Sequence, residues 1–527
     1  MKNGETAPLD AVPIIPPQTM RDGIADALAS GSARVLAFFA IPSACHAATD
    51  ENAAAADAPA TDAGADSKVA PVCRIFSVIG DAFTGEIKIT ATQVEGDYPS
   101  FTPEIPQLHW FEREIAEQTG IIPAGHPRLA PIRAPLSASP LRQAAAAAPA
   151  PSAATCEAAH QVAVGPVHAG VIEPGHFRFQ CLGEDVSHLE ISLGYQHRGI
   201  EKLLAGGPSP ATPHIIETAA GDSTIAAAWN YAAIIEALGG AHAPSPDELS
   251  RRAILLELER IANHVGDLGA LAGDVAFLPT MSYCGRIRGE FLNMTAEICG
   301  NRFGRGAITP GGTNKSISPE IAAKLRAWIF RVKPELDNAL ELAFDEPTVL
   351  DRFEGTGAVS AAAARQIGMV GVAARASGLA TDARRDFPTN TPAAQPVPAL
   401  ARRAQSGDTL ARALVRRHEI NASIEFLLDA LLPFEPPAPP APRRVPSPPT
   451  APRLRPNAIS VSVIESWRGE LVHMAATDSA GKFHFYKIID PSFHNWFGLA
   501  LALRGEQISN FPICNKSFNL SYCGHDL

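Results

Sequence analysis

No Cys-x-x-Cys pair occurs anywhere in this chain of 527 residues. Its eight cysteines (45, 73, 156, 181, 284, 299, 514 and 523) are scattered, so a zinc or iron–sulfur site built by this chain alone lacks its ligand spacing. A disulfide framework is unexpected at this size without an export signal, and most thiols read as reduced and packed. Long apolar runs are missing too: none approaches ~18 uninterrupted residues, so no transmembrane helix is expected. The nearest imitation of a leader is Val35–Ile41 followed by Pro42-Ser43-Ala44, behind a segment holding Asp22, Asp26 and Arg34. Those charges suit a buried strand better than a secretion signal. A net charge of −11 excludes the basic footprint of a nucleic-acid binder. No glycine-rich dinucleotide loop is visible, so nicotinamide chemistry would belong to a partner.

What is present is a globular composition, 46% hydrophobic, long enough for two to four domains. Residues 1–28 read as a flexible lead. Arg34–Ala40, Pro71–Ile79 and the alternating Glu86–Gln93 read as strands, with an Ala/Asp-rich, disordered insert at 47–66 between the first two. Trp110–Gln118 reads as a helix that Gly120 ends. This first domain spans 29–135. An Ala/Pro/Ser linker follows at 136–163, then a mainly helical domain over 164–527, interrupted by a proline-rich insert at 433–456. The fold class is α+β.

In the second domain, Ser245-Pro246-Asp247-Glu248 is a capping box with proline at the first helical position. The helix it opens carries an apolar stripe, Ile254, Leu258, Ile261, Val265 and Leu268. A second stripe is polar: Glu257, Arg260, His264 and Asp267, spaced three, four and three. One reading makes it a solvated face with paired charges. The other makes it a buried polar file.

Between Gly165 and Glu201 the chain reads GPVHAGVIEPGHFRFQCLGEDVSHLEISLGYQHRGIE. This run resembles the start of the large subunit shared by respiratory complex I (49-kDa type) and the energy-converting, hydrogenase-4-like NiFe hydrogenases. Asn301-Arg302-Phe303, Pro310-Gly311-Gly312, Arg375-Ala376-Ser377-Gly378, Ala411–Glu419 and Asp490-Pro491-Ser492-Phe493 continue the pattern. Glu112-Arg113-Glu114, Gly120-Ile121 and Gly125-His126-Pro127 resemble the complex I small subunit (30-kDa type). Energy-converting hydrogenases commonly fuse the two in this order. The resemblance implies a small β-sheet packed on a helical core, helping to wall a cavity beside a partner's 4Fe-4S cluster.

In the hydrogenases of this family, four thiolates hold nickel and iron, and soft thiolates suit those metals. Here the early motif reads Glu217-Thr218-Ala219-Ala220-Gly221-Asp222-Ser223, with Ala220 and Ser223 at the ligand positions. Near the C-terminus Asn519 and Tyr522 take the other two. A nickel–iron centre is therefore not expected, and no metal is assigned. The complex I alternative, a histidine and a tyrosine holding a quinone headgroup, is also inconspicuous. His168 matches the first histidine of the run, but Ile172 falls at the quinone-binding position and Gly221 at the tyrosine.

What the resemblance leaves as catalytic candidates are His168, Glu217 and Asp222. Arg198 and Glu201 are expected to pair at the contact with the iron–sulfur subunit, and Glu257, Arg260, His264 and Asp267 to form a polar network. The implied function is a subunit of a membrane-associated, complex-I-like oxidoreductase with a quinone- or proton-handling cavity. The alternatives are a catalytically silent scaffold and a hydrogenase with an altered site. Implied partners are the iron–sulfur subunit and the antiporter-like and anchor subunits of a membrane arm. The implied place is peripheral, on the cytoplasmic side of the inner membrane.

Overall fold

The computed structural model describes residues 1–42, 72–133, 159–167, 172–389, 395–432 and 453–527. It mixes helix and strand, with helix in excess. Two compact units emerge, a smaller one from Val12–Ile79 and Lys88–Pro149 and a larger one from Met1–Ala11, Gly80–Ile87 and Ala150–Leu527.

Residues 1–28 are not a loose lead. Thr6–Pro8 forms β1, pairing antiparallel with the strand at Ala458–Glu465 in the larger unit. Pro17–Ala29 forms α1, with Met20 and Ile24 buried. Pro17 occupies the first helical turn, where its missing N–H costs nothing. A Pro-Pro pair that looks like a breaker is here a start.

In the smaller unit, β2 (Ala33–Pro42), β3 (Val72–Asp81) and β4 (Glu86–Glu95) form a sheet in that order. Helices α1 and α2 (His109–Thr119) both pack on β2, so its Val35–Ala40 run is buried throughout. Gly120 ends α2 at φ +77°. The insert at 47–66 lies outside the described residues.

Glu112, Arg113 and Glu114 on α2 are buried rather than solvated. The Glu112 carboxylate accepts from Phe101 N at 2.8 Å, Thr102 N at 3.2 Å, Thr102 Oγ1 at 2.6 Å and Ser100 Oγ at 2.5 Å. Arg113 donates to the carbonyls of Ala130 and Pro131 at 2.7 and 2.9 Å, and Arg133 pairs with Glu114. The three side chains clasp the irregular segments on either side of the helix, and Glu112 and Arg113 satisfy backbone groups there that have no ladder to join.

The larger unit opens with β5 (Ala159–Val164), β6 (His176–Leu182) and β7 (Asp185–Ser192), an antiparallel sheet. The linker read at 136–163 thus ends in a strand, β5, and its remainder to 158 lies outside the described residues. Helices α3 (Thr224–Ala237), α4 (Pro246–Asp274), α5 (Leu278–Cys299), α6 (Pro319–Phe344) and α7 (Thr409–Ala430) build the core. The Ser245 capping box of α4 forms as read from the sequence. Gly269 lets α5 approach closely, since a Cβ there would sit 2.7 Å from Cys284 Cβ.

A second sheet, unforeseen in the sequence, runs β1, β8 (Ala458–Glu465), β9 (Glu470–Thr477), β10 (Phe483–Ile489). Every residue of β8 and β9 is buried, and α3 packs on both. Helices α8 (Pro491–Ala502) and α9 (Phe511–Phe518) follow. Of the proline-rich insert, 433–452 lies outside the described residues. Its end is integrated, with Arg455 N donating to Leu238 O at 2.8 Å. Among the described residues no helix is long and apolar enough to cross a membrane.

Candidate functional site

The turn between β8 and β9 carries the centre of the site. Ser466 and Gly469 close it through paired backbone hydrogen bonds of 2.7 and 3.1 Å, which presents Trp467 and Arg468 at its tip. The tip meets two loops: residues 218–223 before α3, and the segment after α9.

Arg468 bridges them. Its two terminal nitrogens donate to the Asp222 carboxylate at 2.7 and 2.8 Å, and its Nε donates to Asn519 O at 2.6 Å. Trp467 Nε1 and Asn263 Nδ2 donate to Asp222 O at 2.9 and 3.0 Å. Burial pushes the Asp222 carboxyl up, but the charge and hydrogen bonds of Arg468 outweigh it and hold the group below its ordinary range. Asp222 is therefore an ionised anchor at neutral pH, and its side chain remains 37% exposed.

Asn519 sits at φ +46° just past α9, a left-handed position that asparagine tolerates better than most residues. Its amide donates to Asp267 Oδ1 at 2.5 Å, and its Oδ1 accepts from Lys516 Nζ at 3.1 Å. Tyr522 lies edge-on to Trp496, with centroids 4.9 Å apart, and its hydroxyl accepts from Asn515 Nδ2 at 3.4 Å. Ala220 and Ser223 are buried.

Glu217 does not join Asp222. It is buried, and its Oε1 accepts from Gly306 N at 2.7 Å. Desolvation raises its carboxyl, opposed by that hydrogen bond. His168 lies outside the described residues. Arg198 and Glu201 do not pair with each other: Arg198 donates to Thr218 O and Ala219 O at 2.8 and 2.9 Å, bracing the loop before α3. Glu201 pairs with Lys487 at 3.0 Å.

A residue without any motif completes the site. Glu259, on α4, accepts from Ile225 N at 2.7 Å and Ala226 N at 3.4 Å, capping the N-terminus of α3 from another helix. It lines a narrow crevice with Asp222, Ile225, Asn263, Arg302 and Phe303. Burial pushes its carboxyl up to about 8 despite the two amide donors, so it is largely protonated at neutral pH.

The polar stripe of α4 is buried: Glu257, Arg260 and His264 are 0% exposed and Asp267 4%. Facing it is α7, running antiparallel in register. Ser423 donates to Glu257 at 2.6 Å, Glu419 contacts His264 Nε2 at 2.9 Å and Arg260 at 3.6 Å, and Arg416 donates to Asp267 at 2.9 Å. Arg375, Asp382, Arg384 and Glu465 extend the cluster. Arg375, Arg416 and Glu419 fall inside segments singled out in the sequence. Arg468, Glu259, Asp382, Arg384 and Glu465 do not, because their partners are far away along the chain.

Comparison with known proteins adds a history to this geometry. Residues 40–150 match the family of the respiratory-chain NADH dehydrogenase 30 Kd subunit, and residues 274–444 match that of its 49 Kd subunit. Formate hydrogenlyase subunit 5 of Escherichia coli (strain K12) is 28% identical over 461 residues, 83% of this chain and 78% of the relative. Hydrogenase-4 component G of the same organism is 27% identical over 453 residues, 81% and 75% of the two chains. The chain belongs to the complex I/hydrogenase-4-like subunit family. It fuses the 30-kDa and 49-kDa types in that order. NADH-quinone oxidoreductase subunit 4 of Thermus thermophilus, 28% identical over 372 residues, aligns with 66% of this chain and 88% of its own length.

Proposed function

We propose that this chain is a subunit of a membrane-associated oxidoreductase that handles protons beside a quinone-type acceptor, without a nickel–iron centre. The observation that carries this reading is the hydrogen-bonded run Asp222–Arg468–Asn519–Asp267–Arg416, which joins the cleft loops to the buried file between α4 and α7. In this reading Arg468 and the ionised Asp222 hold the loops in place. Glu259, and secondarily the buried Glu217, carry exchangeable protons. His168 stays a candidate on its sequence match alone.

The positions aligned with the family's thiolates do not fit nickel and iron. Ala220 has no donor atom, the Asn519 amide is engaged by Asp267 and Lys516, and the Tyr522 hydroxyl by Asn515. Hard oxygen and nitrogen donors already bonded within the chain do not replace four soft thiolates. Electrons would come from a 4Fe-4S cluster in a partner subunit, with antiporter-like and anchor subunits forming the membrane arm. The chain would sit peripherally on the cytoplasmic side. The self-satisfied bonding of Asn519 and Tyr522 also favours a second reading, a scaffold that transmits conformational change without catalysis.

The test is quinone reduction by the complex assembled with its iron–sulfur partner, with metal analysis of the same preparation. Inhibitor-sensitive turnover that falls at least tenfold in Glu259→Gln or Glu217→Gln, with nickel absent, supports the first reading. Turnover unchanged in both variants leaves the scaffold. Near-stoichiometric nickel overturns the proposal.

A further inference from the structure

Outside the cleft, the buried cluster around Glu419 has an imbalance that ion pairing alone does not explain. Four carboxyl groups, Glu257, Asp382, Glu419 and Glu465, share three guanidinium groups, Arg260, Arg375 and Arg384. None of the seven is more than 7% exposed. Every contact is short. Arg260 reaches Glu257 at 2.9 Å, and Arg375 reaches Glu419 at 2.5 Å, Glu465 at 2.7 Å and Asp382 at 3.2 Å. Arg384 reaches Asp382 at 2.6 Å and Glu419 at 3.4 Å.

The neighbouring ions do not correct the count. Asp267 is matched by Arg416, and Asp222 by Arg468. His264 supplies no charge: burial lowers its ring below the ordinary histidine value, and among the described residues its Nδ1 has no partner. A net buried negative charge is expensive in a low-dielectric interior, and neutralisation by a proton is the usual relief.

Glu465 is the member best placed to take that proton. Glu419 contacts Arg375, Arg384, Arg260 and His264, Glu257 has Arg260 and Ser423, and Asp382 is gripped twice by Arg384. Glu465 has one guanidinium contact, Arg375, and one backbone donor, Ala383 N at 2.9 Å. It lies at the last position of β8, immediately before the turn that presents Arg468.

We propose that this cluster stores one exchangeable proton at neutral pH, on the Glu465 carboxyl. Burial first, and the Asp382 charge second, bring that carboxyl to about 7, in line with the charge count. A change of charge beside the cluster would release or recapture the proton. The inference deepens the proton-handling reading above and rests on it only for its purpose, since the store is a property of the folded chain.

The experiment is an infrared pH titration of the purified full-length chain, following the carbonyl band of protonated carboxyl groups. Wild type should lose band intensity through neutral pH, and Glu465→Gln should lack one carboxyl's share of it. Glu259 contributes to the same band, so Glu259→Gln serves as reference, and the double variant should lose both contributions. Asp382→Asn balances the cluster, three carboxylates against three guanidiniums, and should move the Glu465 midpoint to lower pH, where the proton concentration is at least tenfold higher. An intensity unchanged by Glu465→Gln, or a midpoint unmoved in Asp382→Asn, overturns the proposal. No partner or quinone is present, so failure here leaves the turnover test above standing.

Discussion

Arg468 donates to both carboxylate oxygens of Asp222, at 2.7 and 2.8 Å, while its Nε holds Asn519 O at 2.6 Å. One guanidinium thus ties together two loops that are nearly 300 residues apart in sequence, at the positions where the sequence resemblance places lost metal ligands. Arg468→Gln should therefore loosen both loops. Because Asp222 is partly exposed, the loss is discounted from the several kcal/mol typical of a broken buried pair to about 1–2 kcal/mol. Urea unfolding of the variant against wild type measures it. Asp222→Asn, which keeps a neutral acceptor, should lose less.

Gly371 predicts a larger effect. It adopts φ +64°, and a Cβ there would lie 2.0 Å from Arg468 O and 2.4 Å from Gly469 Cα. The turn that aims Arg468 is thus seated directly on a glycine backbone. Gly371→Ala meets both a strained conformation and a backbone clash. It should destabilise the fold by roughly 2–4 kcal/mol, on the scale of backbone strain plus overpacking. Thermal unfolding reads the stability. Hydrogen exchange at Ser466–Gly469 should rise before the rest of the sheet opens.

These contacts mark the limit of what the sequence made legible. The α4 capping box and the Gly120 stop are local, with their partners within four residues, and both are found as read. The three-four-three spacing of Glu257, Arg260, His264 and Asp267 identifies one helix face. Spacing does not say what covers that face, and its partners Glu419, Arg416 and Ser423 lie about 150 residues away. The flexible lead fails as a reading for the same reason: β1 is a strand only because Thr6 meets Ser460. In sequence Glu259 is indistinguishable from any other charge on an amphipathic helix. Only the fold brings the start of α3 to it.

Glu112 offers a test in the smaller unit. Its carboxylate takes four hydrogen bonds from Ser100, Phe101 and Thr102. Glu112→Ala strands buried donors, each costing about 1–3 kcal/mol when left unmet, so a total near 3–5 kcal/mol is expected. Glu112→Gln keeps an acceptor oxygen and should recover part of that loss. Equilibrium unfolding of both variants distinguishes lost hydrogen bonding from lost packing.

The decline of stability above neutral pH turns chiefly on Glu259 and Glu465. Their folded-state carboxyls sit near 8 and 7, raised by burial from an ordinary value of 4.5. Between 4.5 and those values the folded chain binds more protons than the unfolded one, so stability falls as pH rises across that window. Asp222, Asp382 and Glu419 are held low, chiefly by arginine charges that outweigh burial. Their contribution is present above ordinary carboxylate values and is lost as pH falls toward their folded ones. Buried His109, His126, His264 and His473 are held below the ordinary histidine value of 6.5, so they add stability as pH rises toward it, and the decline due to Glu259 and Glu465 should show on the limb above. Glu259→Gln can still accept from Ile225 N with its amide oxygen, so it should flatten the decline toward pH 8 while keeping the cap. Glu259→Ala should flatten the same limb and also lose about 1–2 kcal/mol at every pH, because the first turn of α3 then has no acceptor. Urea midpoints for the two variants from pH 5 to about pH 9 separate the proton from the cap, and a decline in Glu259→Gln as steep as wild type would assign the proton to another group.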